Sequence, residues 1–353
     1  VTVVSYVFPL DGCGPHLAEV VGGKAVGLGS LLREELQVPP GFALGTHAYR
    51  EFVAETGLDR EIHALLQGAE SIETEAEASA RIGALFEEQD LGGPLLEELT
   101  SAYSELGDDL PVAVRSSAIS EDAAEASFAG EHETYLWMQG TDAVSRAVLR
   151  CWASLFTPQA LSYFRRVGLH ADETAMGVVV QAMVASEAAG VMITIDPVTG
   201  DRSQIAIEGS YGLGQAVVAG EVTPDRYSVD KVTLEIRSRA LSAKHLAYRF
   251  DPELGEVRPA DVPAAEQERA CLSDDEVIEV ATLGKRIERA LGAPQDIEWA
   301  IGPGSSAARE LFLLQTRPET VWSRKPPETP AADGSSALER MVHTMTRRPA
   351  TPG

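Results

Sequence analysis

Lys24 follows two glycines in GGKAVG, and Arg115 ends the apolar run VAV in VAVRSSAISED. Glycine lets backbone amides approach an anion and lysine adds charge, so GGK at a helix start can cradle a phosphate. It can equally be a plain turn. It does not match the Walker pattern, because Ala18 stands where the first glycine belongs and Ala25 where a magnesium-binding hydroxyl belongs. Arg115 is the first polar residue after VAV, which is how a strand delivers a side chain into a cleft; a structural ion pair with one of the many acids is the competing reading. Further on, DIEWA and LLQTRP place Glu298, Gln315 and Arg317 near the ends of two strands expected to be neighbours. A carboxylate and an amide oxygen facing the same way can hold a hard divalent cation, and a guanidinium beside them can hold phosphate oxygens. Ile297 and Trp299 flank Glu298, so the alternation of a strand turns its side chain away from the core. A half-exposed strand pair with unrelated polar residues outside is the alternative.

The elements that must carry these residues follow from apolar spacing. SYVFPL opens as a short strand, and Val26, Leu28, Leu31, Leu32 and Leu36 recur at helical spacing, which starts a helix at Lys24. VPPGFALGTHAYREFV predicts an extended Pro segment and then a helix with Thr46 as its N-cap. From about residue 58 to 106 the chain reads as acidic helices, most simply solvated faces, with no chemistry assigned. VAV, ETYLWM and MGVVVQAMV are β-type runs, with a helix in TDAVSRAVLRCWASLF between them. GVMITIDPVTGDRSQIAIEGSYGLGQAVVAG alternates strand with turn, and YSVDKVTLEIRS reads as a hairpin. Ser273 opens a capped helix, and DIEWAI pairs with ELFLLQTRP. Beyond Thr320, KPPETPAADGSS has the composition of a linker.

A chain of 353 residues is long for a single core, so two lobes are expected. Its 29 Lys plus Arg against 54 Asp plus Glu give a formal net charge of -25, which argues against a nucleic-acid surface but leaves room for a small anion held by local cations. Cys13, Cys151 and Cys271 are far apart and form no CxxC pair, so neither a disulfide framework nor a thiolate zinc site is supported. No apolar run reaches the ~18 residues of a membrane span. VTVVSYVFPLDG lacks the basic start of a secretion signal, and the expectation is a cytoplasmic protein without a membrane partner. Gly212, Gly214 and Gly220 do not fit GxGxxG, no HExxH is present, and His132 in the ASFAGEHET loop reads as a surface histidine.

Taken in order, GGKAVGL, VPPGFALGTHAY, VAVRSSAISED, ASFAGEHET, AAGVMITIDPVTG, EGSYGLGQAVVAGEVTPDRY, DIEWA and LLQTRP resemble one family. It is the N-terminal ATP-binding domain shared by phosphoenolpyruvate synthase, pyruvate phosphate dikinase and rifampin phosphotransferase, matched over residues 10 to 322. The resemblance implies an α+β ATP-grasp fold in which two lobes clamp ATP and Mg2+. Residues 1–180 would form the first lobe and 181–322 the second, with the hinge and the metal site; 323–353 would be a tail toward a missing phosphohistidine domain. It implies that Lys24 and Arg115 hold phosphates and that Gly130 and Thr134 belong to the loop over them. Gln181, Met183 and Val184 would line the adenine pocket, with Glu187 on the ribose. Glu298 and Gln315 would hold magnesium, and Arg317 would contact the transferring phosphate. The implied function is the ATP-binding component of a dikinase-type phosphotransferase. It moves phosphate from ATP to a histidine of a separate swivelling domain, giving AMP and phosphate, for onward transfer to a small-molecule acceptor. A nucleotide-binding regulatory module without turnover and a stand-alone ATP-grasp ligase remain the alternatives.

Two departures from the family pattern stand out. Asp196 replaces an asparagine before PVTG, and Glu131 replaces a glutamine after SFAG, beside the expected phosphates. No phosphohistidine motif is read in the chain, and RRPATPG resembles the segment that opens a swivelling domain. A fragment cut at a domain border and a free-standing subunit are both consistent with that tail, and Val1 read as a valine-type start codon favours the second. Because a carboxylate near phosphates repels them, Glu131→Gln is expected to tighten ATP binding in an equilibrium titration.

Overall fold

Strand alternation divides the apolar residues of this chain between two sheets, and helices cover the faces that result. The computed structural model describes residues 5–69, 71–118, 133–167, 174–303 and 309–322. Nine α-helices are described: α1 (Ala18–Arg33), α2 (Thr46–Thr56), α3 (Leu58–Gln67), α4 (Ile72–Glu87), α5 (Gly93–Leu106), α6 (Thr141–Ala153), α7 (Pro158–Val167), α8 (Gln215–Val218) and α9 (Asp274–Leu291). The first sheet comprises β1 (Val7–Pro9), β2 (Gly41–Leu44), β3 (Val112–Ala118), β4 (Thr134–Met138) and β5 (Met176–Ala182), in the order β1-β2-β5-β3-β4. The chain then crosses to a second sheet through residues 183–187. That sheet uses β6 (Ala188–Ile193), β7 (Gln204–Tyr211), β8 (Asp225–Asp230) and β9 (Ile236–Ala240). A separate hairpin, β10 (Leu246–Asp251) with β11 (Glu256–Asp261), precedes β12 (Gln295–Pro303) and β13 (Arg309–Pro318), which complete the order β13-β12-β6-β7-β8-β9. All the pairings of both sheets are antiparallel. The α+β class is the expected one. The boundary drawn at residue 180/181 falls inside β5, whose ladder keeps Gln181 and Ala182 in the first sheet. Residues 1–319 form one compact unit, and a second begins at Thr320.

Three apolar clusters account for most of the packing. The largest lies between the first sheet and helices α2 to α7, where Phe52, Phe86, Trp152 and Phe156 meet Val112, Val114, Val178 and Val180. The opposite face of that sheet carries α1, whose Val21, Ala25 and Leu28 pack on Ala43 and Val179. Under the second sheet, α9 buries Val277, Val280, Ala281 and Ile287 against Ile297, Trp299 and Ile301. The start of α9 is a capping box between Ser273 and Glu276, as expected. The start of α2 differs from expectation: Gly45 is the cap, and Thr46 lies inside the helix. The Thr46 hydroxyl instead donates to the Glu19 carbonyl at 3.2 Å and ties α2 to α1. Among the described residues no helix is long and apolar enough to cross a membrane.

Among the described residues one ion pair is wholly enclosed. Lys244 Nζ donates to Asp225 Oδ1 at 2.7 Å, and both side chains are 0% exposed. Asp225 also accepts from the Ser242 and Cys271 amides, while Lys244 donates to the Ser242 carbonyl and faces the Tyr211 ring. The pair therefore pins the start of β8 to the segment entering α9. Removing one member of such a pair strands the other charge in a dry site. Lys244→Met is expected to lower stability by about 3–5 kcal/mol in urea denaturation, with part of the loss recovered when Asp225→Leu is added.

Candidate functional site

Arg115 is delivered by strand alternation. Val112 and Val114 of β3 point into the large core, so Arg115 projects from the opposite face, the one that α1 covers. Its ladder partners are Val179 on β5 and Thr134 on the edge strand β4. The residue is 9% exposed, and its side chain reaches across to the second sheet. There Nη1 lies 3.4 Å from Glu298 Oε2 and donates to the Leu314 carbonyl at 3.3 Å. That carbonyl is free because the β12–β13 ladder skips a residue: Glu298 pairs with Gln315 and Trp299 with Leu313, which leaves Leu314 as a bulge. Arg115 Nε is buried and has no hydrogen-bond partner among the described residues. An unpaired buried donor costs about 1–3 kcal/mol.

Glu298 and Gln315 stand directly opposite one another across the ladder. Ile297 and Trp299 are fully buried in the core against α9, so Glu298 faces the other way, as expected from the sequence. Gln315 is 9% exposed, yet its amide makes no hydrogen bond among the described residues. Hard cations such as Mg2+ take oxygen ligands and keep most of their shell as water and phosphate, so one carboxylate and one amide suit that ion. Among the described residues no group of three or more His, Cys, Asp and Glu side chains could hold a metal by itself.

Two rungs along the same ladder, beyond Ile297 and Thr316, Asp296 pairs with Arg317. Arg317 donates to Asp296 Oδ2 through Nε at 2.9 Å and Nη2 at 2.7 Å, and half of its side chain is exposed. Burial pushes the Asp296 carboxyl up; Arg317 opposes the shift, and the neighbouring charges of Glu298 and Glu319 add to it. Asp296 was not singled out in the sequence. The signal was present, because it lies two residues before Glu298 and so shares its face.

Lys24 arrives from the other side. Helix α1 is two helical pieces joined at Gly22, where φ 79° and ψ 171° occupy a region open to glycine alone. A Cβ there would sit 2.2 Å from the Ser117 carbonyl oxygen. The Ala25 amide in the first turn of the second piece donates to Ser117 Oγ at 3.4 Å. Lys24, 8% exposed, donates to the Ser116 carbonyl at 2.8 Å, which places its ammonium beside the strand that bears Arg115. Further along, Gly27 lets α1 rest on β13, since a Cβ would lie 2.5 Å from the Thr316 carbonyl oxygen.

The residues expected around the base lie at the end of β5 and in the crossing between the sheets. Gln181 is 1% exposed, and its amide donates to the Pro39 carbonyl at 3.4 Å. The Met183 amide donates to the Pro111 carbonyl, and Val184 packs with Ala189, Ala300, Phe312 and Leu314 in a small apolar cluster. Leu314 belongs to that cluster and also bonds Arg115, so the crossing and the charged pair are contiguous. Glu187 is exposed and pairs with Arg309 at 3.1 Å. Thr134 is exposed at the start of β4. Gly130, Glu131 and His132 lie outside the described residues.

Sequence comparison identifies the class to which this arrangement belongs. Residues 18–337 match the pyruvate phosphate dikinase, AMP/ATP-binding domain family. The chain belongs to that family. Among particular relatives, phosphoenolpyruvate synthase of Aeropyrum pernix is 40% identical over 98% of this chain and 46% of its own length. Phosphoenolpyruvate synthase of Pseudomonas aeruginosa is 39% identical, over 91% of this chain and 43% of its own. A probable phosphoenolpyruvate synthase of Methanocaldococcus jannaschii is 38% identical, over 94% and 28%. The chain thus spans less than half the length of these relatives.

Gly22 lies at the joint of α1, two residues before Lys24. Gly22→Ala is expected to cost about 2 kcal/mol or more in urea denaturation. Gly83→Ala, in mid-helix with nothing near its Cβ position, is expected to be neutral or to stabilise by roughly 0.5–1 kcal/mol.

Proposed function

We propose that this chain is the ATP-binding component of a dikinase-type phosphotransferase. It uses ATP and Mg2+ to phosphorylate a histidine on a swivelling domain or subunit, giving AMP and phosphate, and the phosphohistidine then serves a small-molecule acceptor. The observation that carries this reading is Arg115. A buried guanidinium from one sheet converges on the Glu298–Gln315 pair of the other, and one donor remains unpaired among the described residues. Family membership supports the nucleotide, and relatives named phosphoenolpyruvate synthase support the reaction class.

Phosphoryl transfer asks mainly for positioning and for neutralisation of charge. Lys24 and Arg115 bring two cations to one face of the first sheet, where they bind and orient phosphate oxygens. The Arg115 Nε donor, unpaired among the described residues, gains an acceptor when a phosphate arrives. Glu298 and Gln315 would hold Mg2+, which when bound would neutralise phosphate charge and align the chain of phosphates. Arg317, released from Asp296 or shared with it, adds a guanidinium at the exposed end of the ladder. Gln181, Met183, Val184 and the apolar cluster around Leu314 would offer the base a dry wall, and Glu187 would reach the ribose. Thr134, beside Arg115 on β4, would meet the phosphates with Gly130.

The test is to incubate the chain with Mg2+, ATP labelled at the β-phosphate and a candidate histidine domain. AMP and a labelled partner are expected, both abolished by EDTA. Arg115→Ala is expected to weaken ATP binding roughly 10- to 100-fold, the loss of one or two charge-assisted contacts. ADP as the sole product, or ADP formation that depends on a carboxylic acid without any partner, would overturn the dikinase reading. Saturable ATP binding with no AMP for any partner would point to a regulatory module instead.

A further inference from the structure

Trp137 has a backbone that its side chain does not favour. It lies in β4 at φ 59°, the left-handed region, where a bulky residue is an outlier. The β3–β4 ladder is irregular there: Val112 pairs with Met138 and Val114 with Tyr135, so Leu136 and Trp137 together oppose Ala113. The bulge takes the indole out of strand alternation and lays it on Phe250 of β10, with ring centroids 4.6 Å apart and planes 10° from parallel. Phe250 belongs to the β10–β11 hairpin, which is fastened to the second sheet's side of the molecule. Gly212 bridges to Tyr248, and the Leu213 amide donates to the Tyr248 carbonyl at 3.0 Å.

The stack therefore joins an edge strand of the first sheet to a hairpin carried by the second. As the edge strand, β4 has a sheet neighbour on one side only, and that neighbour is β3, the strand of Arg115. Trp137 sits three residues beyond Thr134, the ladder partner of Arg115. On the proposed function, phosphates compete for Arg115, so the 3.4 Å Arg115–Glu298 contact cannot also hold the sheets together once nucleotide is bound. Helix α1 ties the sheets together through Gly22 and Gly27, and on the β4 side the aromatic pair adds a fastening that uses no charge.

We propose that Trp137 and Phe250 form a clasp that holds the strand of Arg115 at its working distance from Glu298 and Gln315. They are positioning residues for ATP, and the strained backbone at Trp137 is retained for that purpose. This rests on the ATP-binding reading. Its test uses the full chain with Trp137→Leu, Phe250→Leu and Trp137→Tyr. Without nucleotide, each Leu variant is expected to speed amide hydrogen exchange in β4 by roughly 10-fold or more, as an edge strand with one fastening removed should. In Mg-ATP titrations each Leu variant is expected to raise Kd roughly 10-fold, while Trp137→Tyr, which keeps a ring for stacking, stays within about 3-fold of the parent. A merely structural contact would lower thermal stability and leave Kd alone. Unchanged Kd in both Leu variants, or unchanged exchange in β4, overturns the clasp. A parent chain that binds no ATP defeats the ATP reading instead, and the exchange result then still decides whether the clasp fastens β4.

Discussion

The structure turns on one buried cation held between two sheets. Arg115 leaves the first sheet, meets Glu298 and a bulge carbonyl of the second, and keeps a donor unpaired among the described residues. An ion pair at 3.4 Å with an unfilled hydrogen bond is a poor stabiliser, because desolvation of the two charges offsets much of their attraction. Its arrangement suits an anion that would complete it. The acidic surface does not conflict with this, since the required positive charge is local and enclosed.

Close backbone approach makes the geometry possible. Gly22 lets α1 bend at Ser117, and Gly27 lets the same helix lie on Thr316, so one helix touches the strands of both jaws. The bulge at Leu314 performs a similar task on the other side, turning a carbonyl out of the ladder toward Arg115. The bulge at Trp137 turns a ring outward to meet Phe250. The enclosed Lys244–Asp225 pair is the contrasting case. Lys244 finds two acceptors and a ring, and both Asp225 oxygens find donors, within the fold, which marks the pair as a structural tie rather than a binding group.

Much of the site was legible in the sequence because strand alternation is a local property. The apolar neighbours of Glu298 told which way it faces, and VAV before Arg115 told that a strand ends in a polar group. The pairing of Glu298 with Gln315 followed from two adjacent strands. Other features depend on contacts distant in sequence and were not legible. The Leu314 carbonyl becomes an acceptor only through a register shift with β12. The type of Thr46 points to a cap, but a carbonyl 27 residues away claims its hydroxyl and leaves the cap to Gly45. The left-handed Trp137 contradicts its own local preference and makes sense only beside Phe250. Asp296 was legible and overlooked, since its place on the face of Glu298 needed no more than counting by two.

The most direct test of the central claim is a crystal structure of this chain with Mg2+ and a non-hydrolysable ATP analogue. The account predicts that Arg115 has left Glu298 for a phosphate oxygen, that its Nε has gained an acceptor, and that Glu298 and Gln315 both lie on the metal. A nucleotide bound elsewhere, with the Arg115–Glu298 contact intact, would contradict it.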